Sequence, residues 1–177
     1  MKTTALIPLS LVLITVGSAT LPGQAASTYK ACSLLTTAEL EGTLRQKLTR
    51  SGDSDITVND GPYKGEMVSV CSWVLGPASV TLSIMRGPRT AAQRAAGLAT
   101  LREADEALKK QGWTIEDVTI GRAACSTYRP PATVTAPMGV GCIVEAKGFA
   151  FSLGIIGSTA TPQQVKNLAG RAAGRLP

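Results

Sequence analysis

Four cysteines and no histidine set the chemistry open to this 177-residue chain. Without His there is no Ser-His-Asp triad, no Cys-His dyad and no His-ligated metal. Cys32, Cys71, Cys125 and Cys142 are separated by steps of 39, 54 and 17 residues, with no Cys-x-x-Cys pair. That spacing argues against zinc and for disulfides. Four cysteines allow three connectivities. The sequential one, Cys32–Cys71 with Cys125–Cys142, is the expected pairing.

Other reactive patterns lead to structural readings. Ser27-Thr28-Tyr29-Lys30 has the spacing of a penicillin-recognising nucleophile, but no Ser-Asp-Asn or Lys-Thr-Gly follows. There is no Gly-x-Ser-x-Gly and no phosphate-binding glycine loop. Asp53, Asp55, Asp60 and Glu66 gather in a Gly/Pro-containing stretch. Val58 stands where a helix-loop-helix calcium loop needs Gly, so a solvated loop is expected. Glu103, Asp105 and Glu106, interleaved with Arg102 and Lys109, read as the polar face of a helix. No catalytic, metal or cofactor residue is expected. Arg129-Pro130-Pro131, continuing to Pro137, is the candidate partner loop. Its prolines favour an extended segment, and a Cys125–Cys142 bridge would pin its base.

The elements that hold these residues begin after an export signal. Lys2, the apolar run Ala5–Val16 and Gly23-Gln24-Ala25 predict a signal peptide over residues 1–25. Cleavage after Ala25 is expected, with Ala19 the alternative. The apolar run falls short of the ~20 residues a membrane span needs. No other stretch is apolar enough, so no transmembrane segment should remain. The remaining 152 residues carry 17 basic and 12 acidic groups, a net charge of +5, and suit one domain, residues 26–177.

Three capping boxes announce three helices. Thr36-Thr37-Ala38-Glu39 opens the first, whose stripe is Leu40, Leu44 and Leu48 and whose end is Ser51-Gly52. Thr90-Ala91-Ala92-Gln93 opens the second, with Leu98, Leu101 and Leu108 expected to face a sheet. Thr161-Pro162-Gln163-Gln164 opens the third, with Val165, Leu168, Ala169 and Ala172. Between helices the period falls to two. Val80, Leu82 and Ile84 alternate with Ser79, Thr81 and Ser83. Val140, Cys142, Val144 and Ala146 share a face, Phe149–Leu153 follows, and Trp113–Ile120 reads as a further strand. An offset of 71 superimposes Cys71 on Cys142, Leu82 on Leu153 and Gln93 on Gln164, suggesting an internal pseudo-repeat. The expected fold is α+β: an antiparallel sheet covered by about three helices and held by two disulfides.

Cys32-Ser33-Leu34-Leu35-Thr36 before a helix, Cys71-Ser72-Trp73 opening a hairpin, and a last hairpin running into an Ala-rich helix together carry a resemblance. The chain resembles small exported and lipoprotein-like actinobacterial families of unassigned function with a Cys-x-Leu-Leu-Thr start and a later Cys-x-Trp. The resemblance implies a compact α+β domain with Cys32 bridged to Cys71. It carries over no functional residues, and this chain lacks their lipid-attachment motif.

Scattered positive charge and only seven aromatic residues do not make a nucleic-acid groove. The functional expectation is a non-enzymatic exported domain, secreted or of the cell envelope or periplasm, monomeric, binding a ligand or an envelope protein. The alternatives are a secreted hydrolase working through carboxylates and an inhibitor of a secreted enzyme acting through the proline loop.

Overall fold

The computed structural model describes residues 30–75, 78–86, 90–120, 123–134, 138–146, 149–157 and 160–176. The expected signal peptide, Ser27-Thr28-Tyr29 and Pro137 lie outside these residues. A short 3-10 turn, Ala31–Ser33, precedes α1 (Thr37–Leu44) and β1 (Thr49–Thr57). A second 3-10 turn, Gly61–Tyr63, leads to β2 (Met67–Leu75) and β3 (Ala78–Arg86). Then come α2 (Ala91–Lys110), β4 (Thr114–Ile120), β5 (Ala123–Arg129), β6 (Gly139–Ala146), β7 (Phe149–Ile156) and α3 (Pro162–Gly174). The strands form one antiparallel sheet of seven in the order β1-β2-β3-β7-β6-β5-β4.

All three capping boxes form, with Thr36, Thr90 and Thr161 accepting from the N–H of Glu39, Gln93 and Gln164. The first helix ends earlier than expected. Arg45 takes the left-handed conformation at φ 54°, and its N–H returns to the Glu41 carbonyl. Leu48 is buried from the connecting loop, where its N–H donates to Glu41 Oε1 at 2.9 Å. Ser51 and Gly52 therefore lie in β1, not at a helix end. The acidic stretch is also not a single loop. Asp53 and Asp55 are strand residues opposite Cys71 and Ser69, and Asp60 caps the Gly61–Tyr63 turn.

One sheet face carries the core. Cys71 and Trp73, then Val80, Leu82 and Ile84, then Phe151, Leu153 and Ile155, then Val140, Cys142 and Val144 are all buried there. Alternation along each strand puts them on one side. Leu34, Leu35 and Leu40, and Val165, Leu168, Ala169 and Ala172 of α3, join the same core. Burial of each large side chain contributes about 1.5–3 kcal/mol. The Trp73 indole N–H donates to Thr37 Oγ1 at 3.2 Å, and the Ala31 N–H to Ser69 Oγ at 3.0 Å. Both bonds satisfy polar groups where β2 meets the N-terminal segment.

Both disulfides pair as expected. Cys32–Cys71 has a Cα–Cα distance of 5.0 Å, and Cys125–Cys142 one of 4.0 Å between directly opposed strand positions. Trp73 lies on the buried face it shares with Cys71.

The second helix departs from the expected packing. Leu98 is 51% exposed and Leu101 42% exposed. Neither belongs to the core, so the expectation that this stripe faces a sheet core fails. The stretch between the Tyr63 and Tyr128 contacts described below has no buried apolar side chain, because the core face is already occupied by α1, α3 and the N-terminal turn.

Candidate functional site

On the sheet face opposite the core, short side chains adjoin larger apolar ones, among them Val70, Val74, Met85, Ile143 and Ile156. One hydrogen-bonded row crosses all seven strands: Gly52, Ser72, Thr81, Gly154, Gly141, Ser126 and Asp117. The adjacent row runs through Ser54, Val70, Ser83, Ser152, Ile143 and Ala124. A Cβ placed on Gly52, Gly141 or Gly154 would meet nothing within 4 Å. The space above these three glycines is open.

Helix α2 is held at its two ends. Near its start, the Tyr63 hydroxyl donates to the Gln93 carbonyl at 3.2 Å. The Tyr63 ring lies where a side chain at position 97 would be, so only Gly97 admits it. Tyr63 belongs to the turn between β1 and β2, at one edge of the sheet. Near its other end, Asp105 meets the hydroxyl of Tyr128 on β5, beside the opposite edge strand β4. Tyr128 alternates with the buried Cys125 and Thr127, so it lies on the open face. Twenty residues give a helix about 30 Å long, and seven strands make a sheet about 29 Å wide. Hence α2 is about as long as the sheet is wide, and its contacts at Gly97 and Asp105 lie about 12 Å apart along the helix.

Gly97, Leu101 and Leu108 share one side of α2 at four- and seven-residue spacing. Gly97 is buried and Leu108 half-buried, while Leu101 between them stays exposed. Between the Tyr63 and Tyr128 contacts, Leu98 and Leu101 are therefore exposed apolar side chains of α2.

The β4–β5 end of the open face is polar. The Ser126 hydroxyl donates to Asp117 Oδ1 at 2.7 Å across the β4–β5 pair. Ser126 also neighbours the Tyr128 hydroxyl, which lies beside Asp105. Burial pushes the Asp105 carboxyl above its ordinary value; Tyr128 opposes this, and the Asp117 charge adds to it. Burial likewise raises the Tyr128 phenol, with the Asp105 charge reinforcing it. Lys109 pairs with Glu106 at 2.9 Å rather than with Asp105. Just beyond α2, the buried Trp113 indole N–H has no hydrogen-bond partner among the described residues.

Sequence reasoning placed Glu103, Asp105 and Glu106 together on an outer polar face. The structure separates them: Asp105 turns toward β5, whereas Glu103 and Glu106 are exposed. It also missed the site itself, because Ser and Thr alternating with buried Val, Leu and Ile look like any solvated strand face. The one available signal was the run of paired small residues, Ser72, Thr81, Gly141 and Gly154, at matching strand positions.

The proline loop takes a modest place. Arg129 ends β5 and forms an exposed pair with Glu116 at 3.6 Å. Pro130 and Pro131 are half-buried, and Pro131 lies against the α2–β4 turn at Gly112. Among the described residues, no helix is long and apolar enough to cross a membrane, and no group of three or more Asp, Glu or Cys residues could hold a metal ion. Comparison with known protein families and with characterised proteins finds no match to this chain.

Proposed function

We propose that this chain is a non-enzymatic exported domain of the cell envelope that binds its ligand on α2 and the open sheet face. The observation that carries this reading is the exposed middle of α2. Between its contacts with Tyr63 and Tyr128, α2 exposes Leu98 and Leu101, and the open sheet face offers both hydroxyls and apolar side chains such as Val70 and Ile143, a mixed surface that suits an occupant. Two disulfides suit an oxidising compartment.

The test crowds the open face. Gly154 has open space above it and does not need a positive φ, so Gly154→Trp should fold and obstruct that face. The native and variant proteins are recovered from the native envelope and their copurifying molecules compared by mass spectrometry. A molecule carried by the native protein and lost from Gly154→Trp is expected. A molecule retained equally by both would place binding elsewhere and reject this site.

The carboxylate hydrolase is the second reading, favoured by Asp105 and Asp117 bordering the same polar end. Asp117 is engaged by Ser126 and Asp105 by Tyr128, which suits positioning better than a free acid and base. Turnover of an envelope polymer that disappears in Asp105→Asn would reverse this preference.

A further inference from the structure

The C-terminal half of α2 is held by few side chains. Every residue from Leu98 to Ala104 is exposed, so about two turns of helix contribute no buried group. From there to the end of α2, only Asp105 and Leu108 are half-buried. A segment with so little buried apolar surface opens far more easily than the core. The charge state of one residue can therefore decide how firmly it is seated.

Asp105 is placed to be that residue. Arg102, Glu103, Glu106, Lys109 and Lys110 of the same helix are all exposed, whereas Asp105 turns inward. The groups that face it come from three elements. Tyr128 of β5 offers an uncharged hydroxyl, Asp117 of β4 a like charge, and α2 itself Glu106 and Lys109. Lys109 is bonded to Glu106 at 2.9 Å, and no ion pair to Asp105 forms among the described residues. The ionised carboxylate is thus partly desolvated, beside another carboxylate and without a bonded cation, an arrangement that favours the neutral acid. Burial, with the Asp117 charge added and the Tyr128 hydrogen bond opposing, accordingly raises this carboxyl above its ordinary 3.8.

We propose that Asp105 is a pH-sensitive latch, which when protonated seats the C-terminal half of α2 against Tyr128 of β5 and when ionised loosens that seat. The protonated acid can both donate to and accept from a phenol hydroxyl, so the contact with Tyr128 survives protonation. Ionisation sets the hydrogen bond from Tyr128 against the loss of water and the Asp117 charge. A carboxyl raised in the seated state favours seating below its free value, and that contribution is lost as pH rises through the seated value. The latch therefore loosens upward from about 3.8, opposite in sign to the ordinary effect of a carboxylate held by an ion pair. It acts on α2 itself and needs no ligand, so it stands apart from the binding reading.

The test follows amide hydrogen exchange of the protein, disulfides intact, between about pH 4 and 8, with protection corrected for the intrinsic rate at each pH. Amides of α2 from Asp105 onward should lose protection severalfold as pH rises, while those of β3 and β7 keep theirs. Carbon-13 shifts of the Asp105 carboxyl should titrate above 3.8. Asp105→Asn, an uncharged isostere of the protonated acid, should keep at pH 8 the protection that the native protein has at pH 4. Asp117→Asn removes the facing charge and should lower the Asp105 midpoint. Native protection that is flat with pH, or an equal pH dependence in Asp105→Asn, would overturn the latch. If Asp105→Asn does not fold, the native exchange and the Asp117→Asn titration still decide: an Asp105 midpoint that Asp117→Asn leaves in place or raises overturns it too.

Discussion

Glu39 shows how one residue joins local and distant structure. Its carboxylate closes the capping box by accepting from the Thr36 N–H at 2.9 Å. The same carboxylate receives two bonds from the Arg175 guanidinium, at 2.7 and 2.8 Å, and Arg175 also donates to the Leu34 carbonyl. The C-terminal segment is thereby tied to the first helix, 136 residues away in the chain. Arg175 first, and the Thr36 N–H second, hold the Glu39 carboxyl down to about 2 from an ordinary 4.5. A carboxyl lowered in the folded state stabilises above its unfolded value, and that contribution is lost as pH falls toward the folded value. The Glu39 contribution should thus be whole at pH 6 and decline between about pH 4.5 and 2. Thermal midpoints of the native protein and Glu39→Gln should differ at pH 6 and converge toward pH 2. A gap that stays constant across this range would show that the ion pair adds nothing. Because Glu39 and Arg175 retain solvent access, the effect should be modest and should weaken with salt.

At the scale of elements, the three helices began with the same signal and were used differently. The caps were legible because Thr and Gln or Glu at three-residue spacing act within one turn of backbone. The paired strands of the β6–β7 hairpin and the burial of Val80, Leu82 and Ile84 were legible because alternation is local. The fate of α2 was not legible. Leu98, Leu101 and Leu108 make a stripe, but a stripe does not say which surface is left to receive it. That surface was already taken by Leu34, Leu35, Leu40 and the Val165–Ala172 face of α3. β1 was hidden too, because Asp53, Ser54 and Asp55 have low strand propensity and an edge strand tolerates them. The attachment of α2 at Tyr63 makes a direct test. An interior helical Gly replaced by Ala ordinarily stabilises by about 1 kcal/mol. Gly97→Ala should instead lower stability, because the new methyl collides with the Tyr63 ring. In a Tyr63→Ala background the same substitution should raise stability. Urea midpoints of the two single variants and the double variant give the sign; stabilisation by Gly97→Ala in the native background would place Tyr63 elsewhere.

For the molecule as a whole, the two disulfides do different work, although each closes a sequential loop. Cys125–Cys142 joins two positions that the β5–β6 ladder already holds opposite each other. Cys32–Cys71 joins the N-terminal turn to β2, and that turn has no ladder of its own. Behind it, Leu34, Leu35 and Leu40 cover the β2–β3 half of the core, while α3 serves the β5–β6–β7 half. Losing the first bridge therefore frees a segment whose withdrawal would expose Trp73, Leu82 and Ile84. Chain entropy points the same way, since closed loops of 39 and 17 residues correspond to about 4 and 3 kcal/mol. Context should widen that gap, because the residual ladder at Cys125–Cys142 limits the freedom gained on reduction. The Cys32→Ala, Cys71→Ala pair should lower the urea midpoint more than the Cys125→Ala, Cys142→Ala pair. Near-ultraviolet circular dichroism should lose its Trp73 signal at lower urea in the first variant, before the β5–β6 amides lose protection from hydrogen exchange. An equal loss in both variants, or a larger loss in the second, would mean that the N-terminal segment is held by its leucines and the Trp73–Thr37 hydrogen bond alone.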